Sequence, residues 1–269
     1  MTVEILKCPV CNAPLLLAEK SYKCSNNHTF DLSKEGYLNL LQNAKKTAGD
    51  AKEMMLARQH FLNAGYYDKL SNHINAILSA QIENDGAIID IGCGEGYYLA
   101  RFANERNLST LQLYGFDISK IGVKMAAKRN KKIHWLVANF AHLPFSDHSV
   151  QIVLSMFAEY NVAEINRVLV ENGAVIIVRA GKNHLNELKG IIYPEIHEKA
   201  HASEIKPFPN FNVRKFPLTY KVKISNSEDL QNLLLMTPHY WKIKPESAQK
   251  LAQYQQLEVT VSVEIDLLT

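Results

Sequence analysis

Cysteine is scarce in this chain, with four residues in 269, at positions 8, 11, 24 and 93. That is too few for a disulfide-stapled scaffold. No apolar run approaches the ~20 residues needed to cross a bilayer, so no membrane helix is expected. The stretch from Met1 to Cys8 has no basic patch leading into an apolar run, so no secretory leader is expected. Charge of one sign is lacking too. Thirty Lys and Arg against 27 Asp and Glu leave +3, a balance that permits a nucleic-acid partner without arguing for one. Internal repeats and low-complexity segments are absent, which leaves out repeat arrays and disordered tracts. What remains is 47% hydrophobic and 21% charged. That composition suits a soluble, cytoplasmic protein with one large α/β domain and a small module.

The most informative stretch is Ile88-Ile89-Asp90-Ile91-Gly92-Cys93-Gly94-Glu95-Gly96-Tyr97. An apolar strand ends in an acid and breaks into glycines at alternate positions, and a helix follows. Gly92, Gly94 and Gly96 let the backbone turn tightly and approach a ligand where a Cβ would collide. A second strand, Leu113-Tyr114-Gly115-Phe116-Asp117, also ends in an acid. Asp117 falls about 20 residues past the glycines, where doubly wound folds place the carboxylate that binds ribose hydroxyls. The turn reads GxGxG, not the GxGxxG of dinucleotide enzymes, and no Walker lysine follows. The pattern DIGCGEG resembles the first motif of S-adenosylmethionine-dependent methyltransferases. A glycine turn without a ligand is the alternative.

The other three cysteines form Cys8-x2-Cys11-x12-Cys24-x3-His28. Three thiolates and an imidazole fill the four positions of a structural Cys3His zinc site. Leu15 to Leu17 and Tyr22 are expected to supply short strands between the two knuckles. About 35 residues cannot build a sufficient core, so the metal is expected to hold the module together. The competing readings are buried free cysteines, or a redox pair, although the strand-then-helix context of a thioredoxin-like site is missing.

The pattern predicts helices from Asp50, its cap, to Leu62 and over 66–81. Strands then alternate with helices: strands at 87–91, 112–117, 133–137, 150–155 and 174–179, helices at 97–106, 119–129 and 162–169. Val213–Ile224 and Val259–Ile265 add a closing strand pair. This grammar predicts an α/β fold: a Rossmann-like, seven-stranded class I methyltransferase sheet with a small N-terminal zinc-binding module. The expected division is 1–40 for the zinc module, 41–85 for a helical linker and 86–269 for the cofactor domain.

Three regions together carry a family resemblance. They are the knuckle with its continuation His28-Thr29-Phe30-Asp31-Leu32-Ser33-Lys34-Glu35-Gly36-Tyr37-Leu38-Asn39-Leu40-Leu41, the segment Glu53-Met54-Met55-Leu56-Ala57-Arg58-Gln59-His60-Phe61-Leu62-Asn63-Ala64-Gly65, and the glycine turn through Tyr98. Weaker matches occur at Leu143–Asp147, His184–Lys189 and Met236–Pro238. The chain resembles the RlmA-type large-subunit ribosomal RNA (guanine-N1)-methyltransferases. It departs from their pattern at Phe157-Ala158-Glu159-Tyr160, where an aromatic-Ala-Pro turn is usual, and at Glu171–Ala174, where Pro-Gly-Gly is usual.

The resemblance implies zinc, S-adenosylmethionine, a large-subunit ribosomal RNA substrate and a homodimer. Asp90 is then expected to orient the cofactor's amino group and Ile118 to pack on its adenine. Asn139 is expected either to read the adenine edge or to bond its own loop. Glu159 and His184 are the candidates for removing the N1 proton, against a solvated cap and a surface loop residue. Phe157, Tyr160 or Tyr193 could stack on a base, and Lys45, Lys46 and Arg58 could meet phosphates. The run Lys128-Arg129-Asn130-Lys131-Lys132 reads rather as a solvated helix end. A small-molecule methyltransferase and a non-catalytic RNA-binding protein of the same fold are the rival functions.

Overall fold

The computed structural model of the protein describes residues 5–41, 52–82, 85–105, 111–193 and 204–269. Lys45, Lys46 and Asp50 lie outside them. Three short strands, β1 (Leu16–Ala18), β2 (Ser21–Lys23) and β3 (Thr29–Asp31), make an antiparallel ribbon around the knuckles. The next strand, β4 (Tyr37–Asn39), leaves the ribbon. It runs parallel to β7 (His134–Val137) as an edge of the large sheet, with Tyr37 opposite Trp135.

Between them stand α1 (Lys52–Asn63), α2 (Asp68–Ala80), β5 (Gly86–Ile91), α3 (Tyr97–Glu105), β6 (Leu111–Asp117) and α4 (Lys120–Arg129). After β7 come β8 (Val150–Met156), α5 (Val162–Val168), β9 (Leu169–Ala180), α6 (Asn186–Ile192), β10 (Val213–Lys215), β11 (Leu218–Ile224) and α7 (Ser227–Leu235). A 3-10 turn over Pro238–Lys242, α8 (Pro245–Ala252) and β12 (Leu257–Leu268) complete the chain. The large sheet runs β10-β12-β9-β8-β5-β6-β7-β4, with β11 also on β12. β4, β7, β6, β5, β8 and β9 are parallel to their neighbours, whereas β12 runs antiparallel to β9. The sheet has nine strands rather than seven. The seven expected ones are flanked by β4 on one edge and by β10, where the predicted Val213–Ile224 strand breaks in two.

Alternate residues of the central strands feed two cores, as the two-residue period of a strand requires. Ile88, Ile152, Leu154, Ile176 and Val178 pack with Phe61, Leu70, Ile74, Leu99, Phe102 and Val123 from the helices on one face. Ile89, Ile91, Val153, Val175 and Ile177 pack on the other face with Ile165 and Val168 of α5. That second core also contains Leu6, Cys8, Leu15, Cys24 and Phe30 of the ribbon. The zinc module thus covers part of a sheet face where this architecture ordinarily lays a helix.

It is bound there along the segment Leu143–Asp147. Lys7 N–H donates to the Pro144 carbonyl at 3.0 Å, and Ser146 N–H donates to the Ile5 carbonyl at 2.7 Å. Lys7 Nζ pairs with Asp147 at 2.8 Å. Residues 52–82 are likewise part of the main body, since α1 and α2 supply the opposite core.

Candidate active site and metal centre

The metal centre is assembled over a short stretch. Two turns present the ligands, and each needs one left-handed residue, supplied by Asn12 (φ 59°) and Asn27 (φ 63°). Asparagine tolerates that region better than most side chains. Cys8 Sγ and Cys24 Sγ lie 3.6 and 3.4 Å from His28 Nδ1, and Cys11 Sγ lies 3.7 Å from Cys24 Sγ. All four ligand atoms fall within 4.8 Å of one another. A tetrahedron with arms of ~2.0–2.3 Å has edges of ~3.5–3.8 Å, so the donor set and its spacing fit zinc. Hydrogen bonds from the Ala13 backbone and the Asn26 side chain lower the Cys11 thiol to about 6. Burial raises Cys8. A bound cation holds such thiolates ionised.

At the carboxyl ends of β5, β6 and β8 a cavity of about 730 Å3 opens. The glycine turn forms its floor. Gly92, Gly94 and Gly96 have φ of +70°, +55° and +81°. A Cβ on Gly92 would stand 2.4 Å from the Ala158 Cβ, and one on Gly96 would stand 2.6 Å from Trp135. The turn is tied to β6 by Asp117, whose Oδ2 accepts the Gly94 N–H at 2.9 Å and whose Oδ1 accepts the Ser119 N–H at 2.7 Å. Asp117 is half-buried, and a carboxylate has room for further donors beyond these two.

Asp90, 1% exposed, lines the same cavity, and its Oδ1 has no hydrogen-bond partner. Burial first, then Asp117, pushes its carboxyl well above the usual range. A buried oxygen left unsatisfied is costly, so this group is built to meet a donor that enters the cavity. Glu95 is buried beside it but forms an ion pair with Arg129 of α4. Cys93, in the same turn, has its thiol raised by burial and packs as a small side chain.

Glu159 and His184 both line the cavity. Glu159 stands at its rim, with a side chain 77% exposed and 3.4 Å from Lys206 Nζ. His184 is buried, not on a surface loop. Its Nδ1 accepts the Ser262 N–H at 3.2 Å, which leaves the proton on Nε2, 3.4 Å from the Tyr67 hydroxyl. Burial lowers His184 to about 4. The ring is therefore a neutral donor and is poorly arranged to take up a proton.

Two expected cofactor residues lie outside the cavity lining. Ile118 sits beside Asp117, 36% exposed. Asn139 Oδ1 accepts the Ala141 N–H at 2.9 Å, so the amide bonds its own loop. Of the stacking candidates, Phe157 is at the mouth, 43% exposed and held at φ +55°, a strained conformation for an aromatic residue. Tyr160 is buried, its hydroxyl accepting the Lys206 N–H at 3.2 Å. Tyr193 is outside the lining and bonded to His239.

Arg58 does not face outward toward phosphates. It lines the cavity, with Nη1 3.2 Å from where a Gly94 Cβ would be and Nη2 3.4 Å from the Met236 carbonyl. Of the basic run, Arg129 is committed to Glu95 and Asn63, and Lys131 to the Glu35 carbonyl. Sequence reading missed Trp241, 66% exposed on the cavity rim. The only signal for it was its position just after the Met236-Thr237-Pro238 match.

Comparison with known proteins accords with this geometry. Residues 6–48 match the zinc-ribbon family described as "RlmA, N-terminal", and residues 89–177 match a family described as "Methyltransferase domain". The chain is 32% identical to the 23S rRNA (guanine(748)-N(1))-methyltransferase of Streptomyces fradiae, over 97% of this chain and 95% of that one. It is 31% identical to YxjB of Bacillus subtilis (strain 168), over 97% of this chain and 96% of that one. No helix among the described residues is long and apolar enough to cross a membrane.

Proposed function

The chain belongs to the RlmA-type 23S rRNA (guanine-N1)-methyltransferase family, and from that premise we propose that it transfers a methyl group from S-adenosylmethionine to N1 of a guanine in large-subunit ribosomal RNA. The observation that carries this reading is one cavity that joins the glycine turn and the orphaned Asp90 oxygen to a rim bearing Glu159, Phe157 and Trp241. A donor-rich cofactor fits the first part, and an unstacked base fits the second.

When bound, S-adenosylmethionine supplies an activated methyl group for in-line displacement. The glycine turn admits the amino-acid end of the cofactor close to the backbone. Asp90 accepts from its ammonium group, and Asp117 accepts from the ribose hydroxyls while holding the turn in place. Guanine N1 carries a proton on the Watson–Crick edge, so the base must leave its pair to be reached. Phe157 and Trp241 give it aromatic faces. The methyl group would go to N1, and Glu159, at the rim 3.4 Å from Lys206 Nζ, would take the N1 proton. His184, fixed by the Ser262 N–H as an Nε2–H donor, orients groups through the Tyr67 hydroxyl and does not carry the proton.

The proposal includes a division of labour: residues 1–40 for RNA recognition with one zinc, 41–85 as helical connection and 86–269 for transfer. It also includes a cytoplasmic homodimer. Val10, Leu16 and Leu17, each 52% exposed on the ribbon, are apolar side chains that a second copy could cover, and light scattering of the purified protein tests that element. The experiment for the activity is transfer from labelled cofactor to unmodified 23S rRNA, with the product nucleoside identified. Label in 1-methylguanosine is the expected result, and label in any other nucleoside or in none overturns the proposal.

A further inference from the structure

The cofactor is a zwitterion, and its carboxylate needs a cation. The floor of the cavity is rich in groups of the opposite kind, since Asp90, Glu95 and Asp117 line it together. They suit the ammonium and sulfonium charges, and none of them offers a carboxylate a cation. Three lysines and arginines line the cavity among the described residues: Arg58, Arg179 and Lys206. Arg179 forms an ion pair with the buried Asp266 of β12. Lys206 donates to the Tyr160 carbonyl at 2.7 Å and faces Glu159 at the rim.

Arg58 is the one set over the glycine turn. Its Nη1 is 3.2 Å from the point a Gly94 Cβ would occupy, so its guanidinium lies against that turn and borders any ligand held there. Its head is steered from two sides, by the Met236 carbonyl at 3.4 Å and by the Met55 sulfur at 4.0 Å. A planar guanidinium binds a carboxylate through two parallel N–H donors, which a lysine cannot reproduce.

We infer that Arg58 is the group that holds the carboxylate of S-adenosylmethionine. The inference rests on the cofactor assignment of the preceding section and adds to it a residue 34 positions before the glycine turn. It also gives α1, within the helical connection, a role as one wall of the cofactor site.

The test compares S-adenosylmethionine with decarboxylated S-adenosylmethionine, which differ in that one group, by titration calorimetry on the zinc-loaded full chain. The wild-type protein is expected to prefer the carboxylated ligand at least tenfold. Arg58→Ala is expected to lower affinity for S-adenosylmethionine at least tenfold and to leave the decarboxylated ligand within twofold, erasing the preference. Arg58→Lys is expected to keep part of it. Arg58→Gln, closer in shape, is read in the same way should the alanine variant not fold. A variant that weakens both ligands equally, or neither, overturns the inference. Wild-type protein that binds neither ligand overturns the cofactor assignment itself.

Discussion

The metal centre and the cofactor cavity both hold charged groups out of water, by opposite means. The metal centre takes all its ligands from residues 8 to 28 and needs little packing. Its thiolates are acceptable in a buried setting because a cation neutralises them. The cavity draws its lining from residue 54 to residue 241. Its carboxylates are left partly uncompensated, as Asp90 shows, and wait for a ligand. A site made of near neighbours carries its own folding energy. A site made of distant residues borrows its geometry from the whole fold and can afford unsatisfied groups where chemistry requires them.

The largest expected effect tests the metal side. Stripping zinc, or changing Cys24→Ser, should disorder the ribbon outright, because apparent binding energies of ~10–16 kcal/mol per structural zinc stand behind such modules. Hydrogen exchange of residues 5–31, read beside zinc content, is the measurement. Retained protection without zinc would mean that packing on the sheet suffices. Next comes the cavity floor. Gly96→Ala must accept φ +81° and a Cβ 2.6 Å from Trp135 and 2.8 Å from Ala126. Together these should cost about 2–5 kcal/mol, seen as a lower urea midpoint at normal zinc content.

Asp117→Ala is expected to weaken S-adenosylmethionine by roughly tenfold or more, since a charge-assisted hydrogen bond is worth ~1.5–3 kcal/mol. Unchanged affinity by calorimetry would remove Asp117 from the site. On the rim, Trp241→Ala should weaken RNA binding by ~1–3 kcal/mol, the usual worth of one base–aromatic stack, and leave cofactor affinity alone. Equal losses in both would make Trp241 a structural residue.

The smallest effect concerns His184. Its folded value, about 4, lies below its ordinary 6.5. The stability it contributes is therefore complete above about 6.5 and is lost as pH falls toward 4. Its imidazole resonance should titrate near 4 in a proton NMR series. A midpoint near 6.5 would place the ring in water and break the contrast between buried lining and exposed rim.

These expectations show where the sequence was readable. The Cys3His spacing is itself the local structure, so the ligand set could be read directly. The parallel strands and their helices also emerged close to their observed ends, because β5 and β8 are nearly continuous apolar runs; β9 is the exception, beginning at Leu169 rather than Ala174 because Glu171-Asn172-Gly173 interrupts its apolar pattern. Arg58 was read as facing phosphates because nothing within α1 reveals that Met236 and Gly94 lie above and below it. Asn139 had two readings of equal merit, and the Ala141 N–H shows which partner its Oδ1 takes. β4 reads as ribbon by proximity in the chain, yet its partner is β7, and no local pattern reports a partner so far away.

That distant partner governs the order of events at the ribosome. Tyr37 can pair with Trp135 only after about a hundred more residues have been synthesised. At ~5–20 residues per second that is roughly 5–20 s. The ribbon can take up its metal as soon as His28 emerges, but the strand that follows it, bridged locally only by Leu32 to Leu38, must wait for the sheet edge it will join. The ribbon is therefore made well before the sheet edge that β4 joins. A nascent chain stalled before residue 134 should carry a metal-loaded knuckle tethered to a sheet that has not yet received it.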